Sequence, residues 1–221
     1  MVSEAMLPRA AVKDVEARLT AAGCPDADFD ARELFRLATG RDVRLSDRPL
    51  DAAEAAKLEE LTVRRAAREP LQYLCGSWSF LDFELAVGPG VLCPRADTEV
   101  VAQAAAETLA GIAAPRVLDL CAGTGCLGLG VKRFCPDAQV TCVEKSPEAF
   151  RYLEQNVRTA LPGAAPAVQA VQGDLVYLLA KPAGRAAGPD RVQPAVSDGG
   201  GNAAFAAGGG AGTGHGTGSR G

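Results

Sequence analysis

The chain has 221 residues, of which 48% are hydrophobic and 23% charged, and a formal net charge of −4. That length and apolar content suffice for one domain, or for one domain plus a small helical appendage, and they exclude a fibrous chain. The slight negative charge provides no global basic field to recruit nucleic acid. No apolar run reaches the roughly 18 residues of a membrane span.

The first 70 residues read as a small helical domain. Val12, Val15 and Leu19 recur at helical spacing before Gly23, and Phe29, Leu34, Phe35 and Leu37 form a second apolar set ending at Gly40. A third helix is expected from Asp51, a good N-cap with Glu54 three positions on, carrying Leu58 and Leu61 inward until Pro70. Arg64, Arg65 and Arg68 on its last turns read as a solvated face, with an acidic or RNA partner as the alternative. Residues 71–94 turn to short β-prone pieces. Trp78 to Leu85 alternates in part and Gly88-Pro89-Gly90 supplies a turn, which predicts a β-hairpin linking two domains.

From residue 95 the pattern is that of alternating helices and strands. Asp97 to Leu109 is an alanine-rich helix, and Val117 to Leu120 is a short apolar strand. A glycine-rich turn and helix follow, and Val140 to Glu144 is a second strand. Ser146 caps a helix carrying Phe150, Leu153 and Val157, and Ala167 to Val171 is a third strand ending at Gly173-Asp174-Leu175. Such alternation predicts a doubly wound parallel sheet over residues 95–190. The last 23 residues hold 11 glycines, and residues 191–221 are expected to be disordered.

Two residue types narrow the chemistry. Seven cysteines form an odd set without a C-x-x-C pair, so neither a disulfide framework nor a zinc site is expected, and most read as small buried hydrophobes. The only histidine is His215, in the glycine-rich tail. Triads, Cys/His pairs and polyhistidine metal sites all need an ordered imidazole, so catalysis must rest on carboxylates, backbone groups or a cofactor with its own driving force. The amino terminus mixes Glu4, Arg9, Lys13 and Asp14 without a signal-peptide core, which predicts a cytoplasmic protein.

The turn after Leu120 carries the strongest functional signal. Small residues at Ala122, Gly123 and Gly125 let the backbone bend tightly and approach a ligand. Glu144 lies 19 residues beyond Gly125, where the next parallel strand delivers a carboxylate to the hydroxyls of a ribose. A nucleoside-containing cofactor is therefore expected. The G-x-G-x-x-G spacing of a dinucleotide site fits Gly123 to Gly128, while Asp119-Leu120-Cys121-Ala122-Gly123-Thr124-Gly125 looks like the first motif of S-adenosylmethionine methyltransferases.

Two further motifs are more specific: Arg68-Glu69-Pro70-Leu71-Gln72-Tyr73-Leu74-Cys75-Gly76, and Cys93-Pro94-Arg95-Ala96-Asp97-Thr98-Glu99. With the glycine turn, they make residues 8 to about 180 resemble the protein-(glutamine-N5) methyltransferases that modify peptide-chain release factors. The resemblance implies a helical substrate-recognition domain, a linking hairpin and an S-adenosylmethionine-dependent class I methyltransferase domain. It implies that Cys121, Ala122, Gly123, Thr124 and Gly125 wrap the methionine end of the cofactor, that Glu144 holds the ribose, and that Asp174 and Leu175 border the adenine. Glycine or threonine is usual where this chain has Cys121 and Ala122, both small enough for the cofactor to fit. The substrate implied is the glutamine of the Gly-Gly-Gln loop of class 1 release factors, taken by a monomer without direct nucleic-acid or membrane contact. A related enzyme acting on another protein glutamine or on an exocyclic amine of nucleic acid is the second reading. A non-catalytic binding remnant is the third.

In one place the chain departs from that family. An Asn-Pro-Pro-Tyr loop would hold the amide hydrogens of the substrate glutamine in line with the methyl group. At its expected place, 19 residues after Asp174, the chain reads Gln193-Pro194-Ala195-Val196. Read one base later, allowed codons for Val192 to Ser197 spell Ser-Asn-Pro-Pro-Tyr-Leu, and the shifted frame continues through Gly218 as TAEEMRRLQPEVAREPAMALD. That continuation resembles the family's own next helix, which places a frameshift between about Lys181 and Val192. A parallel sheet deprived of its later strands is expected to leave an open edge.

Overall fold

The computed structural model describes residues 6–163 and 167–174, together with the backbone of 202–206. The chain divides into two compact units. One is Met1–Trp78 with Val87–Pro89, and the other is Ser79–Ala86 with Gly90–Gly221.

The first unit is helical: α1 (Pro8–Ala21), α2 (Ala27–Thr39), α3 (Ala52–Ala66) and α4 (Leu71–Cys75). Pro8 opens α1 at the first turn, where a missing N–H costs nothing. Gly40 closes α2 at φ 68°. The capping box expected at Asp51 is present, with Asp51 accepting from the Glu54 N–H and Glu54 accepting from the Asp51 N–H. Val12, Val15, Leu19, Leu34, Phe35, Leu58 and Leu61 form the core.

Three details differ from expectation. Phe29 is 48% exposed and Leu37 is exposed as well. Phe29 sits about 140° around the helix from Leu34 and meets Trp78 edge-on at 6.4 Å instead of entering the core. Arg64 and Arg68 are exposed, as a solvated face requires, but Arg65 is turned inward and pairs with buried Asp30 at 2.7 Å. Residues 71–75 are helical, not β, because Pro70 and Gly76 (φ 74°) bracket one turn that buries Leu71 and Leu74.

The hairpin consists of β1 (Ser77–Phe80) and β2 (Phe83–Ala86). Its turn is Leu81-Asp82, not Gly88-Pro89-Gly90. Leu81 takes φ 54°, its N–H donates to Glu99 at 2.9 Å, and Asp82 pairs with Arg133 at 2.7 Å, so side chains of later helices hold a turn that lacks glycine.

The second unit continues with α5 (Ala96–Thr108), β3 (Arg116–Leu120), α6 (Cys126–Phe134), β4 (Gln139–Glu144), α7 (Pro147–Thr159), β5 (Val168–Gln172) and β6 (Asn202–Ala206). The strands form a parallel sheet in the order β5-β4-β3-β6. Leu85, Leu129, Val131, Val140, Cys142 and Leu153 are among its buried core. Strand β6 corrects the expectation of a wholly disordered tail, and it moves the open edge of the sheet from β3 to itself. Residues 202–206 form a glycine-free run within the tail and pair their backbone with β3, Arg116 opposite Asn202 through Leu120 opposite Ala206. No described helix is long and apolar enough to cross a membrane.

Candidate functional site

The carboxyl ends of β3, β4 and β5 meet at one rim of the sheet, where ligands of open parallel α/β sheets bind. Cys121 to Gly125 form the turn from β3 into α6, with Cys121 at φ 60°, Gly123 at 56° and Gly125 at 80°. The turn is closed by the Gly125 N–H donating to the Ala122 carbonyl at 2.7 Å, and tied to β4 by the Ala122 N–H donating to Val143 at 2.9 Å. Ala122, Thr124 and Gly125 are buried, whereas Cys121 is exposed.

Glu144 ends β4 and reaches across to this turn. Its Oε2 accepts the Gly123 N–H at 2.8 Å and its Oε1 accepts the Ser146 N–H at 2.8 Å. A carboxylate oxygen has two lone pairs, so each retains one acceptor site after these bonds. Those sites can accept two adjacent hydroxyl donors. Next to it, the Gly173 N–H donates to the Glu144 carbonyl at 2.9 Å and brings β5's end alongside. Asp174 pairs with Lys145 at 2.9 Å, which raises the ammonium pKa of Lys145. The first five expected site residues, Glu144 and Asp174 thus share one rim. Leu175 and the segment Gln193, Pro194, Ala195 and Val196 lie outside the described residues, as do the proposed frameshift and His215.

Two residues given no role of their own from the sequence support the rim from beneath. Asp119 on β3 is 1% exposed. Its Oδ2 accepts the Gly128 N–H at 2.9 Å, while Oδ1 has no N–H or O–H partner. Burial pushes its carboxyl up to about 7, and the Glu144 charge adds to the rise, against the lowering effects of the Gly128 N–H and the Cys142 thiol. A lone aspartate inside the apolar run Val117 to Leu120 was the available signal. The other residue is Asn156 of α7, fully buried, whose amide bonds Ala86 and Thr124.

Burial also drives the thiol pKa of Cys126 up to about 11 and that of Cys142 well above its usual value, so neither is a thiolate nucleophile near neutral pH. Only Cys24 and Cys142 are fully buried, fewer than composition suggested. The described residues contain no cluster of His, Cys, Asp and Glu that could hold a metal ion.

Residues 10–76 match the family described as PrmC N-terminal domain, and residues 83–180 match the Methyltransferase small domain. The release factor glutamine methyltransferase of Bifidobacterium longum is 37% identical over 155 residues, covering 66% of this chain and 53% of that protein. That of Geobacter sulfurreducens is 42% identical over 110 residues, covering 50% and 38%. That of Deinococcus radiodurans is 38% identical over 171 residues, covering 75% and 60%. The chain spans about half the length of the relatives it matches. The α/β unit accordingly has the class I methyltransferase fold.

Proposed function

We propose that this chain, a relative of the release factor glutamine methyltransferases, is the cofactor-holding portion of such an enzyme and that its rim takes S-adenosylmethionine. The observation that carries this reading is Glu144, whose two oxygens each keep an acceptor site beside a glycine turn at the end of β3. S-adenosylmethionine brings a methyl group on a sulfonium that is already a good leaving group. The chain's task is therefore placement. Cys121 to Gly125 line the methionine end, Glu144 accepts the ribose hydroxyls, and Asp174 with Leu175 borders the adenine. The substrate is the Gly-Gly-Gln glutamine of class 1 release factors, met by a cytoplasmic monomer.

An amide nitrogen is a poor nucleophile because its lone pair is delocalised, so its plane must be fixed by hydrogen bonds to the N–H groups. The Asn-Pro-Pro-Tyr loop would do this, and this chain carries Gln193-Pro194-Ala195-Val196 in its place. We assign that loop to the adjacent reading frame, entered between about Lys181 and Val192. The chain as translated then holds cofactor without transferring its methyl group. The nucleotide sequence decides the frame: codons that do not spell Asn-Pro-Pro-Tyr one base on refute it.

Cys121 supplies the test of the cofactor site, since it is the single exposed cysteine of the seven and all seven are described. A limiting dose of a bulky maleimide is expected to label Cys121 first, by peptide mass spectrometry. Saturating S-adenosylmethionine is expected to slow that labelling about tenfold while leaving Cys75 and Cys93 unchanged. Equal labelling with and without the cofactor would count against this placement.

A further inference from the structure

Asn156 lies on α7, 32 residues beyond Thr124 and 70 beyond Ala86, yet its side-chain amide joins both. Its Oδ1 accepts the Ala86 N–H at 2.7 Å, and its Nδ2 donates to the Ala86 carbonyl at 3.1 Å and to the Thr124 carbonyl at 2.9 Å. It is fully buried and every polar hydrogen and its oxygen is used. The amide thus pairs with the end of β2 as a strand would, and spends its remaining hydrogen on the glycine turn.

The Thr124 carbonyl belongs to a single planar unit with the Gly125 N–H. Asn156 pins one side of that plane, and the Ala122 carbonyl receives the N–H on the other side at 2.7 Å. Gly125 has no Cβ to resist rotation, so without the pin the peptide can flip, reversing both dipoles in the turn. A glycine turn needs such an external lock because its own residues do not choose between the two orientations.

We propose that Asn156 is a positioning residue that fixes the Thr124–Gly125 peptide, and with it the cofactor turn, against β2. This rests on the reading of the rim as an S-adenosylmethionine site. The same lock ties the turn to the hairpin end, so a disturbance at Ala86 reaches the cofactor without touching it.

The test uses the full chain carrying Asn156→Asp, which keeps size and the acceptor for the Ala86 N–H but loses both donors when ionised. Asn156→Ala is the second variant. Calorimetric titration with S-adenosylmethionine at 10 °C, with folding checked by near-ultraviolet circular dichroism, is expected to show affinity about tenfold weaker for Asn156→Asp. Hydrogen exchange of the Gly125 amide, relative to that of Cys142 in β4, is expected to speed up about tenfold in both variants. A general loss of stability would accelerate both amides together and leave affinity in the folded protein unchanged, and that result overturns the proposal. So does wild-type Gly125 exchange in Asn156→Asp. If the wild-type chain binds no S-adenosylmethionine, the cofactor reading fails by itself, and the exchange ratio still decides the role of Asn156.

Discussion

Gly128→Ala is expected to destabilise the α/β unit by about 3 kcal/mol, a typical cost of forcing extra volume into a rigid core. A Cβ at position 128 would lie 2.5 Å from Cys142 Sγ, 3.0 Å from Asp119 Oδ2 and 3.1 Å from Val140 Cγ1. All three neighbours stand on β3 and β4, whose parallel ladder runs from Arg116 opposite Gln139 to Leu120 opposite Val143 and cannot spread at one point. Helix α6 would have to lift, and lifting it lengthens the Gly128 N–H bond to Asp119, now 2.9 Å. Urea unfolding followed at the α/β unit should show the loss. Adding Cys142→Ala removes the nearest atom and should restore part of it; a double variant no more stable than Gly128→Ala would show that the clash is not the cause.

The second large effect is on pH dependence. The Asp119 carboxyl sits near 7 in the folded protein, against an ordinary value of 3.8. The folded state therefore holds this proton more tightly than the unfolded chain does. Its contribution favours the folded state at pH below about 4 and is lost as pH rises towards 7, then stays lost above it. Asp119→Asn keeps an acceptor for Gly128 and removes the charge. The variant should gain on the wild type by on the order of 3 kcal/mol between pH 4.5 and pH 8, read as the difference between their unfolding free energies. Groups that do not interact with Asp119 cancel in that difference, including Asp42, which Arg44 holds at about 2. A pH-independent difference would place the buried charge elsewhere.

How far these features were legible follows from the reach of the interactions that make them. The α3 cap was readable because Asp51 and Glu54 are three residues apart and satisfy each other locally. That Glu144 would lie beside the glycine turn was readable because one βαβ unit fixes their separation. The parallel sheet followed from the alternation of helices and strands. By contrast, the hairpin turn at Leu81-Asp82 is held by Glu99 and Arg133, far along the chain, and no local turn residue announced it. Nothing in the local sequence marked Asn156, because both of its partners are backbone groups of distant segments. Strand β6 was missed because its pairing depends on the free edge of β3, not on its own composition.

The proposed cofactor site is the rim formed by Cys121 to Gly125 and Glu144, shaped for an adenosyl sulfonium. Titrating the wild-type chain and Glu144→Ala with S-adenosylmethionine in a calorimeter tests it directly. One site per chain is expected, with Glu144→Ala at least about thirtyfold weaker, the loss that removing charge-assisted bonds to two hydroxyls implies. No heat from the wild type, equal affinity in the variant, or preferential binding of a pyrophosphate-bearing dinucleotide would contradict it.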